Sequence, residues 1–196
     1  MSAVPDPAPD APPAVPVVVM GVCGSGKSTI GALLADALAS TFIDGDRLHP
    51  QANVDKMASG MPLNDDDRWP WLQRVGETLG GSGAHCIIAC SALKRSYRQH
   101  IAAAAREPVL FIHLSGSRQV IETRMQSRAG HFMPLALLDS QLATLEQPDR
   151  DEFAVIVDVD QPVEVVLETA LTAIRSVPGP KTGPVNGNHT RSETSS

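Results

Sequence analysis

The sequence predicts an α/β fold, a five-stranded parallel sheet flanked by helices, and three observations carry that prediction. Short runs at 15–20, 86–90 and 109–114 are apolar without alternation, as strands covered on both faces are. Between such runs, apolar residues return at helical spacing, which places helices in the connections. The first run leads straight into Gly21-Val22-Cys23-Gly24-Ser25-Gly26-Lys27-Ser28, a glycine-rich turn of the kind that joins a strand to a helix around a phosphate.

The elements follow in order. Residues 15–20 form a β-branched first strand. Ile30, Leu33, Leu34, Ala37 and Leu38 then share one helical face. Phe42 and Ile43 make a brief second strand ending at Asp44. Residues 50–80 read as helix with an interruption at 60–64, and the third strand at 86–90 follows a Gly80-Gly81-Ser82-Gly83 loop. A helix at 93–105, a fourth strand at 109–114, a helix at 119–126 and a fifth strand at 153–158 come next. Val163, Val166, Leu167, Ala170, Leu171 and Ile174 mark one face of a last helix. Right-handed crossovers put every strand's C-terminal end on one edge, where ligands of such sheets bind. Gly21, Asp44, Ser91 and residues 114–116 all lie just past strand ends.

Residues 1–14, rich in Pro and Ala, and residues 176–196, rich in Ser, Thr, Gly, Pro and Asn, lack apolar periodicity and are expected to be disordered tails. One domain is expected over 15–175. A net charge of −6 argues against a nucleic-acid or membrane-surface partner. No apolar run approaches the roughly 18 residues of a membrane span, and the proline-broken N-terminus does not read as a signal peptide. Three cysteines, Cys23, Cys86 and Cys90, suit a reducing cytoplasm and read as small buried residues rather than a metal set.

The cradle from Gly21 to Ser28, with Thr29 opening the helix, is the strongest chemical signal. Glycines let successive N–H groups turn toward one anion, and the helix N-terminus adds its dipole. In this pattern Lys27 reaches the β- and γ-phosphates of ATP, and the Ser28 hydroxyl ligates Mg²⁺. Asp44-Gly45-Asp46 follows the second strand. Its carboxylates can serve Mg²⁺ and an acceptor hydroxyl, or the segment can be an ordinary Asp-Gly turn.

The stretch Phe42-Ile43-Asp44-Gly45-Asp46-Arg47-Leu48-His49-Pro50, then Asn53, then residues 56–72 ending in Asn64-Asp65-Asp66-Asp67-Arg68-Trp69-Pro70-Trp71-Leu72, closely resembles the gluconate kinase (gluconokinase) family. Cys90-Ser91-Ala92-Leu93-Lys94-Arg95-Ser96-Tyr97-Arg98, Arg128-Ala129-Gly130-His131-Phe132-Met133-Pro134, Ser140-Gln141-Leu142 and the segment 157–162 extend the resemblance over about residues 16–175. It implies a nucleoside-monophosphate-kinase-like P-loop fold, commonly a homodimer. It also implies transfer of the ATP γ-phosphoryl group to the 6-hydroxyl of D-gluconate.

By motif position, Asp46 becomes the substrate-side carboxylate and base, and Asp44 sits nearer Mg²⁺. His49, Arg68, Lys94, Arg95, Arg98 and His131 become candidates for the sugar-acid pocket, which needs fixed positive charge. Asp65, Asp66 and Asp67 read as the acidic first turn of a helix with Pro70 just inside. Trp69 and Trp71 are given packing roles only, and His85 and His113 structural ones. Arg124 and Arg128, one helical turn apart, flank a loop that suits a mobile lid closing over the triphosphate, with solvated arginines as the alternative. The rival functions are a kinase of shikimate or a related sugar acid, and a nucleotide-dependent switch without acceptor chemistry.

Overall fold

The computed structural model describes residues 13–127 and 135–178. Of the expected tails, 1–14 and 176–196, residues 1–12 and 179–196 lie outside the described residues, as does the expected lid loop with Arg128 and His131. Five strands, β1 (Val17–Met20), β2 (Thr41–Asp44), β3 (Cys86–Ala89), β4 (Leu110–Ser115) and β5 (Ala154–Asp158), form one parallel sheet in the order β2-β3-β1-β4-β5. The helices are α1 (Lys27–Ala37), α2 (Gln51–Ala58), α3 (Asp65–Ser82), α4 (Arg95–Ala105), α5 (Arg118–Ser127), α6 (Leu135–Thr144) and α7 (Val163–Arg175). No helix among the described residues is long and apolar enough to cross a membrane.

Side-chain alternation along β1 divides the core. Val17 and Val19 face α1 and α7, packing with Leu34, Val166 and Ile174. Val18 and Met20 face α3 and α4, packing with Leu72, Val75 and Ile101. A third cluster joins Val22 and Cys23 to Leu93, Ile121, Met125 and Leu138, so α5 and α6 rest directly on the turn after β1. From β1 the chain goes to the edge strand β2, returns to β3 beside β1, then crosses to β4 and β5 on the other side, so strand order reverses beside β1. That reversal opens the crevice at the C-terminal edge.

Four details differ from the sequence reading, the first being that Gly80, Gly81 and Ser82 end α3 rather than form a loop. Helix α6 was not expected at all. Val163, assigned to the buried face of the last helix, is 41% exposed at its first position. Pro70 lies in the second turn of α3 rather than at its start, where it forgoes the hydrogen bond to the carbonyl four residues back. The acidic first turn itself is as expected. Asn64 caps α3 by accepting from the Asp67 N–H at 2.9 Å, and Asp67 returns the bond to the Asn64 N–H at 2.8 Å.

Candidate active site

The cradle closes β1 onto α1. Gly24 has φ +78, and a Cβ there would lie 2.6 Å from Met125 Cγ, so torsion and space both require glycine. Gly26 is the N-cap of α1 and offers no side chain to the helix's first amides, leaving that end suited to an anion. Lys27 Nζ donates to the Val22 carbonyl at 2.8 Å. The Ser25 hydroxyl is buried without a hydrogen-bond partner among the described residues. Beside it opens a cavity of about 240 Å³, lined by Gly24, Gly26, Thr29, Arg124, Val159 and Val163, among others. Arg124 is held on its wall by an Nη2 bond to the Val159 carbonyl at 2.6 Å. An uncapped helix start, an orphaned hydroxyl and an adjoining cavity fit a nucleoside triphosphate.

At the end of β2, Asp44 Oδ1 accepts from the Asp46 N–H at 3.1 Å, so Asp44 does cap an Asp-Gly turn. Gly45 is confined, because a Cβ there would meet the Ala89 carbonyl at 2.5 Å. Asp46 projects at the mouth of the crevice, and protein crowding on the crevice side raises its carboxyl above the ordinary value. The Asp44 charge raises it further, and the Lys27 charge opposes both. Cys90, at the end of β3, has its thiol pushed up to about 12 by burial, and it too feels Asp46, Lys27 and Asp44. The fold thus brings Lys27, Asp44 and Asp46 around one strand end. Among the described residues no cluster of three or more His, Cys, Asp or Glu side chains could hold a metal by itself.

The acceptor side is built from α3 and α4. Trp71 Nε1 donates to the Gly45 carbonyl at 2.8 Å, and His49 stacks on the Trp71 ring. Asn53, buried, reaches His49 Nδ1 at 3.2 Å and the Asp67 carbonyl at 2.7 Å. Asp65 accepts from Lys94 Nζ at 2.7 Å, from the Tyr97 hydroxyl at 2.5 Å and from Arg68 Nη1 at 3.3 Å. The Lys94 and Tyr97 bonds hold the Asp65 carboxyl below the ordinary carboxylate range.

His49, Arg68 and Lys94 therefore gather on one side, and two other candidates do not. Arg98 is 1% exposed and donates to both Glu152 oxygens at 2.6 and 2.8 Å, and to the carbonyls of Ala92, Leu93 and Glu146. It is a structural clamp rather than a substrate ligand. Arg95 points outward to Asp151 at 2.5 Å, and Lys94, expected inside the helix, is its N-cap.

Comparison with known proteins settles the family. A family model described as an AAA domain matches residues 17–148. The gluconokinase of Gluconobacter oxydans (strain 621H) is 47% identical over 157 residues, covering 78% of this chain and 86% of that protein. The thermoresistant gluconokinase of Escherichia coli (strain K12) is 44% identical over 162 residues, covering 81% and 92%. This chain belongs to the gluconokinase family. A crystal structure of a gluconokinase from Sinorhizobium meliloti 1021 matches with a TM-score of 0.75 at 46% identity, over 85% of this chain and 92% of that one.

Several residues of this gluconokinase-family site escaped the sequence reading. Tyr97 stands three residues after Lys94 and Asn53 four after His49, spacings that could have flagged both as neighbours of charged candidates. Trp71 was read as packing alone, yet its indole N–H fixes the Asp-Gly turn. Gln141, on the unexpected α6, accepts from the Cys23 N–H at 2.6 Å, and no local pattern announces a contact across 118 positions.

Proposed function

We propose that this protein is a gluconokinase, transferring the γ-phosphoryl group of ATP to the 6-hydroxyl of D-gluconate to give 6-phosphogluconate and ADP. The observation that carries the reading is the placement of Asp46, just past β2 in the turn capped by Asp44 and within electrostatic reach of Lys27 in the cradle. The membership in a family of named gluconokinases supports the acceptor.

In this reading the cradle from Gly21 to Thr29 and the Lys27 ammonium hold the phosphates, and the nucleoside enters the cavity beside Arg124. Asp46 orients the acceptor hydroxyl and takes its proton, while the cradle and Arg124 stabilise charge on the transferring group. Ser28 and Asp44 would hold Mg²⁺, which neutralises phosphate charge when bound. Arg68 and Lys94 receive the gluconate carboxylate, and His49 flanks the hydroxyl chain. A cytoplasmic homodimer completes the proposal.

The test is a coupled ADP-release assay with D-gluconate, its stereoisomers and shikimate as acceptors. Gluconate should stimulate release most, and Asp46→Asn should lower kcat on the order of 10²–10³ while ATP binding persists. Strong stimulation by shikimate with none by gluconate would sink the acceptor assignment. Near-normal kcat in Asp46→Asn would remove that residue from the mechanism.

A further inference from the structure

We infer that Gln141 is a positioning residue for phosphoryl transfer, acting on Lys27 through the single peptide unit that joins Val22 to Cys23. Gln141 Oε1 accepts from the Cys23 N–H at 2.6 Å. The carbonyl of that same peptide, on Val22, accepts from Lys27 Nζ at 2.8 Å and from the Ser25 N–H at 3.3 Å. A trans peptide is planar, with its N–H and C=O directed oppositely. Gripping the N–H end therefore sets where the carbonyl points, and the carbonyl sets where the ammonium rests. Hydrogen bonds linked through one amide also polarise each other, which strengthens both.

The grip is built rather than incidental. Leu138, one helical turn before Gln141, is fully buried in the cluster that contains Val22 and Cys23. The far end of α6 is tied down as well, through the Leu145 N–H to the Gln141 carbonyl at 2.9 Å and the Glu146 N–H to the Leu93 carbonyl at 2.8 Å. The side-chain type matters too. The Cys23 N–H belongs to the turn that faces phosphate, and a neutral amide can hold it without placing negative charge beside a triphosphate. Without that acceptor the Val22–Cys23 peptide loses the bond that fixes its N–H end and can tilt, its N–H toward the anion and its carbonyl away from Lys27. The cradle would then present the ammonium in a changed position at the moment charge develops on the transferring group.

This inference rests on the role of Lys27 proposed above, and the experiment separates the two. In the full-length protein, Gln141→Met keeps side-chain length and removes the strong acceptor, whereas Gln141→Glu keeps an acceptor oxygen. Gln141→Met should lower kcat about tenfold, with the gluconate KM changed by less than about twofold and the Tm near that of the unsubstituted protein. Gln141→Glu should retain most of kcat at saturating ATP while raising the ATP KM. Without nucleotide, the Cys23 amide should exchange with solvent faster in Gln141→Met than in Gln141→Glu or the unsubstituted protein. Equal kcat in Met and Glu variants, or unchanged Cys23 exchange in Gln141→Met, would overturn the inference. Full turnover in Lys27→Ala would instead overturn the reading on which it rests.

Discussion

The imidazole of His49 lies flat on the indole of Trp71, with 4.2 Å between ring centroids and 16° between planes. The indole is itself anchored, through Nε1, to the carbonyl of Gly45, the residue between the paired aspartates. One stack therefore links the geometry of the Asp44–Asp46 turn to the acceptor side. Burial, and then the charge of Arg68, press the His49 pKa down to about 4 from an ordinary 6.5. At neutral pH the ring is uncharged, and with Nδ1 accepting from the Asn53 side-chain amide its Nε2–H is left to donate to a sugar hydroxyl.

That shift has a consequence for acid stability. Between about pH 6.5 and 4 the unfolded chain binds protons that the folded His49 refuses, so stability falls as pH drops through this window. His113, buried and facing the Arg98 charge, is pressed to about 4 as well and acts in the same direction. The low carboxyls of Asp65 and Glu152 withdraw their contributions only further into acid. His49→Phe keeps an aromatic ring over Trp71 and cannot titrate. Its Tm should fall less steeply than that of the unsubstituted protein between about pH 7 and 5, and its gluconate KM should rise. Parallel Tm profiles would show that His49 is not held neutral by the fold.

Tyr97 is the hinge of the cationic side. Its hydroxyl donates to Asp65 and receives Arg68 Nη1 at 3.3 Å, while Lys94 Nζ lies 5.3 Å from its ring centroid. The ring is buried and packs edge-on against Trp69, so removing only the hydroxyl leaves the packing in place. Tyr97→Phe should therefore raise the gluconate KM roughly fivefold, the worth of about 1 kcal/mol, and leave the ATP KM and the Tm nearly unchanged. A rise in the ATP KM instead would mean that this cluster does not face the acceptor.

What the sequence made legible was what local rules dictate. The cradle was readable because its backbone path needs glycine at fixed offsets, and the start of α3 because Asp65, Asp66 and Asp67 crowd its first turn. The order of strands and helices followed from unbroken apolar runs such as 86–89 and 109–112, whose side chains are buried on both faces of the sheet. Helix α6 was invisible for the opposite reason. Leu138 and Leu142, with Leu145 just past its end, do share one face, but the exposed Leu135 and Leu137 blur that stripe in the sequence. The role of Arg98 was hidden by distance, since Glu152 lies 54 positions away and only the packing of α4 beside 146–152 brings them together. A sequence shows that an arginine is near a site, and the fold decides whether its guanidinium has anything left to offer.

Arg98 puts that distinction to the test. Its guanidinium is gripped by Glu152 through two bonds and by three backbone carbonyls, in a place where water barely reaches. Removing one partner of such a pair leaves the other charge buried without compensation, which costs about 3–5 kcal/mol. Arg98→Met should lower the Tm sharply for that reason. The second substitution Glu152→Gln, made on top of it, should recover part of the loss, because it removes the stranded charge. Enzyme that remains folded should keep its gluconate KM within about twofold of the original, since no substrate bond has been removed. The opposite pattern, an unchanged Tm with a gluconate KM raised about tenfold or more, would return Arg98 to the substrate pocket and make the Glu152 pair secondary.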